Sequence, residues 1–229
     1  MSTATAAPSG TAAPRRSPRR SPEQRRAQIA AAARELALDE GLAAVTLRAV
    51  AARAGVTPAL VAHYMPSMDD LVAATFAAVV GAELDELRGL QASVAPVPRL
   101  AAVLRSVLDG TRDDVTLVWI EAYALGRRSE PLAQAVRAAM DRWQRMLRDL
   151  LADGVAAGAF RIADPADAAW QLLGMIDGLN AQALVRWGGA SDRSALLLHA
   201  VEGMLDLSRG ILTAPAPAPA PARPQKGTP

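Results

Sequence analysis

Aromatic side chains and one acid in the second half of the chain have the chemistry to recognise a small molecule. Trp119 and Tyr123 are four residues apart in a segment with helical periodicity, so their rings share one face. Asp177 lies in the apolar run 174–179, where a carboxylate needs a partner. Aromatic faces attract cations, so the pattern predicts a pocket between helices for a small molecule that is cationic or amphipathic, or that carries a hydrogen-bonding group. The predicted lining consists of Phe76, Trp119, Tyr123, Trp143, Trp170, Met175 and Asp177.

Ordinary core packing, with Asp177 as a hydrogen-bonded structural acid, is the alternative for these residues. Trp187 stands beside two glycines and fits a surface or dimer contact better. The sequence offers little for catalysis, because it has no Cys, two distant histidines (His63 and His199), and no nucleophile–base pair, phosphate loop or metal-ligand spacing. An all-helical enzyme is therefore the weaker hypothesis, and we expect no catalytic site, metal or cofactor.

Residues 46–64 have the capping pattern of two short helices on a tight turn. Thr46 and Thr57 are of the type that caps helix starts, and Pro58 fits a first helical position. Gly55 is the usual residue where a helix ends and the chain turns. Such a pair is a helix-turn-helix, whose second helix can enter a DNA major groove. Thr57 is then a cap alone, or a cap that also contacts phosphate.

Few side chains of this motif can read bases. Arg48 is the basic residue best placed to bond a guanine, and a solvated surface arginine is its alternative role. Arg53 fits a surface charge. Pro58, Ala59 and Leu60 have no side-chain hydrogen bonds to give, so they can only meet thymine methyls or the sugar wall.

Positive charge is concentrated before the motif. Residues 27–70 carry three arginines against five acids, whereas one acid, Glu23, and six arginines precede residue 27. These six are Arg15, Arg16, Arg19, Arg20, Arg25 and Arg26. We expect residues 1–20 to be a disordered basic arm, and the stretch Arg15–Arg26 to offset the acidic core by lying on phosphates or in an adjacent minor groove. A basic tail without ordered contacts is the alternative.

The segments that position these residues have helical composition and periodicity. Ala, Leu, Arg and Glu dominate, while Pro and Gly fall at the ends and between periodic segments. Capping signals therefore predict an all-α chain of about nine helices. The predicted helices cover 21–41, 46–55, 57–64, 67–90, 99–109, 113–128, 131–154, 164–188 and, after a cap at Ser191, 196–212.

These helices divide into an N-terminal three-helix helix-turn-helix domain, 21–66, and a helical-bundle domain for ligand binding and dimerisation, 67–212. Residues 213–229 are predicted to form a disordered Ala/Pro tail. The 67–90 helix has an apolar first half, 71–82, which indicates burial between the two bodies. Dimerisation is expected through the last two helices, because they carry more apolar residues than one buried helix face needs. These residues are Leu172, Met175, Leu179, Leu196, Val201 and Leu205.

Targeting signals are weak. No uncharged apolar run reaches the roughly 18 residues of a membrane span. The paired arginines at 15–16 and 19–20 lack the apolar segment of an export signal. We therefore expect a cytoplasmic protein without membrane contact.

The N-terminal residues resemble the TetR family of bacterial one-component repressors. The resemblance is carried by Ile29, Ala32, Ala33, Leu36, Gly41, the run 46–51, the run 54–57, the run 63–67 and Leu71. It implies a homodimer, a palindromic operator in double-stranded DNA, and a small-molecule inducer. By this resemblance, Thr46 matches a backbone-contacting position and Arg48 a base- or phosphate-contacting position. The groove-facing and phosphate-contacting positions of the second helix match Pro58, Ala59, Leu60, His63 and Tyr64.

The later residues resemble the ligand domain of choline-responsive regulators of that family. The shared residues are Trp119, Glu121, Tyr123, Gly154, Gly158, Phe160 and the run 177–179. Three positions depart from the family pattern, because Ala62 replaces a tyrosine, Met68 a lysine and Ala37 an aromatic residue. The first two changes remove DNA contacts, and the third thins a small core.

Together these features predict a ligand-responsive transcriptional repressor. The ligand would favour a conformer whose recognition helices are spaced wrongly for half-sites about 34–36 Å apart, with the 67–90 helix as the lever. An activator of transcription is the alternative, because whether a bound regulator represses or activates depends on the position of its operator. A second alternative keeps the fold but makes the chain a ligand- or partner-binding protein with weakened DNA binding, as Ala62, Met68 and the acidic core suggest.

Overall fold

The computed structural model describes residues 21–89, 95–187 and 193–213, which form nine α-helices without a strand. This confirms the predicted all-α fold. The predicted basic arm, the Ala/Pro tail beyond residue 213 and the cap at Ser191 lie outside the described residues. In chain order the helices are α1 Pro22–Glu40, α2 Leu47–Ala54, α3 Pro58–Tyr64, α4 Met68–Gly89, α5 Pro96–Leu108, α6 Asp113–Gly126, α7 Glu130–Ala156, α8 Pro165–Leu184 and α9 Arg193–Met204.

The starts of the first three helices follow their capping signals. Ser21 Oγ accepts from the Gln24 amide at 3.2 Å, and Gln24 Oε1 accepts from the Ser21 amide at 2.9 Å, which completes a capping box. Thr46 and Thr57 cap α2 and α3 in the same way. Gly55 ends α2 in the left-handed conformation, with φ 64°, which a side chain would disfavour.

The helix α4 joins two packed bodies. Its residues Leu71, Phe76 and Val80 are buried, and α4 packs against α1 as well as against α6 and α7. Thr75 is also buried, and its hydroxyl donates to the Leu71 carbonyl at 2.7 Å, so no polar group is left unpaired there. The predicted burial of this helix between two bodies is confirmed.

Several helix boundaries differ from the prediction. Helix α5 begins at Pro96 rather than at Arg99, because amide groups of a first turn have no helical partner and prolines lose nothing there. Helix α9 ends at Met204 rather than at 212. The buried carboxylate of Glu202 accepts from the amides of Gly210 and Leu212, both at 2.8 Å, and so folds the following chain back.

Candidate DNA-binding surface and ligand cavity

The outer side of α2 and α3 carries the residues predicted to contact DNA. Val61 is fully buried, and this fixes the rotation of α3 that leaves Ala62 and His63 in solvent. The threonine hydroxyls of Thr46 and Thr57 each accept from an amide at 3.3 Å, so both act as caps while remaining exposed. The predicted contacts are exposed at Thr46, Arg48, Thr57, Pro58, Ala59, His63 and Arg26, and half-buried at Leu60, Tyr64 and Arg25.

The two arginines of α2 have different environments. Arg53 forms an ion pair with Asp39 at 2.7 Å and with Glu40 at 3.1 Å, and its hydrogen bond to Asp39 raises its pKa. Arg48 is exposed and forms no ion pair or hydrogen bond with any described residue. Of these two guanidinium groups, the one on Arg48 is therefore available to a partner.

The start of α1 is held beside the end of α3. The guanidinium of Arg26 lies 5.8 Å from the centre of the Tyr64 ring, within the range of a cation–π contact. Arg25 donates to Gln28 Oε1 at 2.8 Å, and Gln28 Nε2 donates to the Ala54 carbonyl at 2.7 Å. These contacts place Arg26 next to the end of α3 and tie the start of α1 to the end of α2.

Two departures from the family pattern remain uncompensated on this surface. Ala62 is exposed but offers only a methyl group. Met68 packs against the core and offers no charge. Neither position supplies a hydrogen bond to phosphate.

A small cavity, partly open to solvent, lies between α4, α5, α6, α7 and α8. Four of the seven predicted lining residues are in its wall, namely Trp119, Tyr123, Trp143 and Asp177. The Trp119 and Tyr123 ring centres are 5.8 Å apart, which brings the two rings together one helical turn apart.

The other three predicted lining residues lie elsewhere, and for them the prediction is wrong. Phe76 is fully buried behind the wall, where its ring packs edge-on against Trp119 at 5.0 Å. Trp170 is 61% exposed, because α8 turns Leu172 and Leu173 toward the core and Trp170 away from it. Met175 lines a separate groove between α8 and α9.

Two carboxylates contribute to the cavity wall from different helices. Asp177 on α8 accepts from the Tyr123 hydroxyl at 3.0 Å, and Glu83 on α4 accepts from Trp119 Nε1 at 3.4 Å. Burial raises the pKa of Glu83 to about 7 and raises the pKa of Asp177, because both charged forms lose water. Burial, followed by the neighbouring Asp177 charge, also raises the pKa of Tyr123.

Sequence reasoning missed Glu83, although a signal for it was present. Glu83 follows the apolar stretch Val79-Val80-Gly81-Ala82 and precedes Leu84, so it is an acid that directly continues an apolar run. It is 7% exposed. An acid that keeps such a position needs a partner, which is the argument already applied to Asp177.

The described cavity wall carries negative charge and no positive charge. Its charged members are Glu83 and Asp177, and none of the side chains that line it is Lys, Arg or His. Asn180 also lines the cavity, with its amide nitrogen donating to the Val107 carbonyl at 3.1 Å. Apolar and aromatic groups supply the rest of the wall. This arrangement suits a cation in preference to an anion.

The helix that carries the two cavity rings also touches the helix-turn-helix body. Glu121 on α6 lies between Trp119 and Tyr123 in sequence, and its Oε2 accepts from the Ala43 amide at 2.8 Å. Ala43 belongs to a 3₁₀ turn, Leu42–Ala44, which connects α1 to α2 and was not predicted. Gly41 precedes this turn with φ 91°, and a Cβ there would lie 2.7 Å from Glu121 Oε2.

The outer face of α8 and α9 is apolar and uncovered in the protomer. Trp170, Val185 and Leu196 are 61%, 74% and 61% exposed, and the Cβ positions of Gly174 and Gly178 meet open space. The prediction of dimer contacts is wrong for three residues, which are buried inside the protomer because they face α7 or α5. These residues are Leu172, Val201 and Leu205.

The described part of the chain contains neither a group of metal ligands nor a membrane-spanning helix. No three His, Asp or Glu side chains there group as metal ligands would. Each of its helices is too short or too polar to cross a bilayer.

Two family sequence patterns match the chain. The pattern described as bacterial regulatory proteins of the tetR family covers residues 29–75. The pattern described as the C-terminal part of BetI-type transcriptional repressors covers residues 96–206. The first includes the helix-turn-helix, and the second includes most of the cavity.

Known proteins show the same similarity. The HTH-type transcriptional regulator BetI of Rhizobium meliloti is 34% identical over 164 residues, which covers 68% of this chain and 75% of BetI. A Saccharomonospora viridis transcriptional regulator, solved in complex with choline, has a TM-score of 0.70 at 23% identity and covers 79% of this chain and 96% of its own. A Pseudomonas aeruginosa regulator has a TM-score of 0.68 at 24% identity and covers 84% and 95%.

Proposed function

The chain belongs to the TetR family of bacterial transcriptional regulators, and on that premise we propose that it is a repressor whose operator affinity is lowered by a small cation. The observation that carries this proposal is the cavity beside α6. It combines aromatic rings with one buried carboxylate, Glu83, and one half-buried carboxylate, Asp177, and its described wall has no basic side chain. The same helix contacts the turn before α2 through Glu121.

DNA binding is supported by the exposed side of α2 and α3. We propose that Arg48 bonds a base edge or a phosphate, and that the start of α3, with Pro58, Ala59 and Leu60, lies in the major groove. Thr46, Thr57, His63 and Tyr64 would contact the DNA backbone. The basic side chains of Arg25 and Arg26 would add phosphate contacts beside the end of α3.

The class of ligand is supported by the cavity and by one structural neighbour. Aromatic rings and carboxylates attract ammonium groups, and they do so more strongly where water is excluded. The Saccharomonospora viridis regulator, which shares the fold, was solved in complex with choline. We therefore propose a cationic effector held by Trp119, Tyr123, Trp143, Asp177 and Glu83.

A homodimer is supported by the uncovered face of α8 and α9. The exposed side chains of Trp170, Val185 and Leu196 form an apolar surface, and Gly174 and Gly178 allow a partner helix to approach closely. A two-fold arrangement through this face would present two α3 helices to the two halves of a palindromic operator.

Coupling between the two sites is supported by the packing of α4 and α6. A cation that pulls Glu83 and Asp177 inward would move α4 and α8 relative to α6. The recognition helices would then shift away from the spacing that fits DNA. The mechanism requires the ligand to bind one conformer more tightly than the other.

The direct test is operator selection from random double-stranded DNA by the full-length protein, followed by fluorescence anisotropy with the selected site. We expect specific binding to a palindrome and release by choline or a short amine. The competing role, a ligand-binding protein with weakened DNA affinity, is favoured by Ala62 and Met68. It predicts that no sequence is enriched although the cation binds.

A further inference from the structure

The two carboxylates of the cavity occupy separate positions. Glu83 and Asp177 belong to α4 and α8, and these helices each pack against α6. Each acid is held by a different ring, Glu83 by Trp119 and Asp177 by Tyr123. These rings lie one turn of α6 apart, with centres separated by 5.8 Å. The acids therefore do not share one hydrogen-bond partner or one point in the cavity.

The cavity wall holds two acids, the buried Glu83 and the half-buried Asp177, which is one more than a single cation can neutralise. A carboxylate taken out of water is strongly unfavourable unless it is paired and hydrogen-bonded. Each acid here has one neutral donor, and no basic side chain is among the residues that line the cavity. A ligand with one ammonium group would pair with one acid and leave the other without a counter-charge inside the cavity, because the arginines that face Glu83, Arg34 and Arg112, are not part of the cavity wall and Arg112 pairs with Glu86 at 3.0 Å.

We propose that the effector is a small dication, with two ammonium groups joined by a short apolar chain. One ammonium group pairs with Glu83 and the other with Asp177, while the chain lies against the rings of Trp119 and Tyr123. This inference rests on the proposed function, because it takes the cavity to be the effector site. It goes further by fixing the number of charges on the ligand.

The protonation of Glu83 adds an observable consequence. Its pKa is raised to about 7 by burial, so the empty cavity holds this acid partly protonated at neutral pH. The charged groups that face it come from α1, α4 and the start of α6, and they are Arg34, Glu86, Arg112 and Asp114. A second ammonium group beside Glu83 stabilises the charged form, so binding of a dication at pH 7 releases a fraction of a proton.

Asp177 contributes to the same behaviour with the same sign. Burial raises its pKa, and its hydrogen bond from Tyr123 acts in the opposite direction. Pairing with an ammonium group lowers this pKa as well. A ligand whose single ammonium group pairs with Asp177 leaves Glu83 unpaired, so it releases less than the dication does.

The test is isothermal titration calorimetry of the full-length protein with three ligands: 1,4-diaminobutane, 1-aminobutane and choline. We expect 1,4-diaminobutane to bind at least about tenfold more tightly than 1-aminobutane. Repeating the titration in phosphate and in Tris buffer at pH 7 should reveal proton release for the diamine. The variants E83Q and D177N should each remove the preference for the diamine, and E83Q should also reduce the proton release.

The control variant is D85N. Asp85 lies on the same helix as Glu83, but it is exposed and pairs with Arg88 at 3.4 Å outside the cavity. It should keep the wild-type preference. Should a cavity variant fail to fold, the comparison of the two amines with the wild-type protein decides alone.

The outcomes separate this inference from the proposed function. Equal affinities for 1,4-diaminobutane and 1-aminobutane would overturn the dication, and binding of choline would still support a cationic effector. Binding of none of the three would overturn both the dication and the cationic effector. A tenfold preference that persists in both E83Q and D177N would also overturn the assignment of the two acids.

Discussion

Glu121 and the Ala43 amide are joined by a hydrogen bond of 2.8 Å that connects the helix bundle around the cavity to the helix-turn-helix body. Glu121 sits on α6 between the two rings of the cavity, and Ala43 sits in the turn before α2. The close approach depends on Gly41, whose Cβ, if present, would lie 2.7 Å from Glu121 Oε2. The contact is therefore a direct route by which a shift of α6 reaches the DNA-binding motif.

Replacing Glu121 by Ala should weaken the coupling between cation binding and operator binding. It should leave the affinity for each of them nearly unchanged. A single contact along such a route typically modulates coupling by about 1 kcal/mol, roughly fivefold. E121A should bind operator and cation nearly as the wild type does. The factor by which the cation raises the operator dissociation constant should be about fivefold smaller in E121A than in the wild type. Fluorescence anisotropy with and without cation measures this difference.

The matched control is D113N, which removes an exposed acid from the first turn of the same helix. It should keep the wild-type response. A normal response in E121A would show that the coupling bypasses this hydrogen bond.

The two arginines of α2 provide a matched pair for DNA recognition. R48A should weaken operator binding by about 1–3 kcal/mol, because we propose that its exposed guanidinium bonds a base edge or a phosphate, and thermal stability should not change. R53A should lower the thermal midpoint, because it breaks the ion pairs with Asp39 and Glu40. Its operator affinity should change less than that of R48A. Anisotropy and calorimetry on both variants check the contrast, and a reversed order would refute it.

The end of α7 packs a glycine directly against an aromatic ring. A Cβ on Gly154 would lie 2.0 Å from Phe160 Cδ2, and the Phe160 amide donates to the Gly154 carbonyl at 3.2 Å, which limits how far the ring can move. G154A should therefore destabilise the protein by about 1–3 kcal/mol, although alanine is the better helix former by up to about 1 kcal/mol. Urea unfolding measures the change.

A double-mutant cycle with F160L tests the stated cause. The smaller side chain relieves the clash, so G154A should cost less in the F160L background than in the wild type. Equal costs in both backgrounds would assign the effect of G154A to something other than this contact.

The burial of Glu83 predicts how stability depends on pH. The raised pKa means that the folded protein binds this proton more tightly than the unfolded chain does between the ordinary value of 4.5 and about 7. The contribution of Glu83 to stability is thus largest below pH 4.5 and is lost as the pH rises to 7 and above. The loss is on the order of 3 kcal/mol.

The variant E83Q carries no titrating group at this position. Its free energy of unfolding relative to wild type should therefore rise between pH 4.5 and pH 8, as urea titrations at several pH values will show. D85N should follow the wild-type profile. A constant difference between E83Q and wild type across this range would mean that Glu83 has an ordinary pKa.

The sequence predicted those parts of the fold that depend on neighbouring residues. Ser21, Thr46 and Thr57 start helices because each caps amides only two or three positions away, and Gly55 ends one through its own backbone conformation. The end of α9 could not be read in this way. It is set by Glu202, whose carboxylate accepts hydrogen bonds from amides eight and ten residues further along the chain.

The cavity shows the same division. Trp119 and Tyr123 share a face through local helix geometry, so their pairing was predictable. Whether Trp170 or Glu83 lines the cavity depends on how α8 and α4 are rotated by packing against other helices, which sequence spacing alone does not give. Trp170 was predicted to line the cavity because it is aromatic. Glu83 was missed because the apolar residues before it indicate ordinary core packing.

The most direct measurement of the central claim is the affinity of the cation for free and for operator-bound protein, by calorimetry on both forms. Because coupling is reciprocal, a cation that weakens operator binding must itself bind the DNA complex more weakly, by the same factor. We predict a difference of about tenfold for the cation that binds most tightly, matched by an equal rise in the operator dissociation constant. Equal cation affinities for the free and the operator-bound protein would contradict the account.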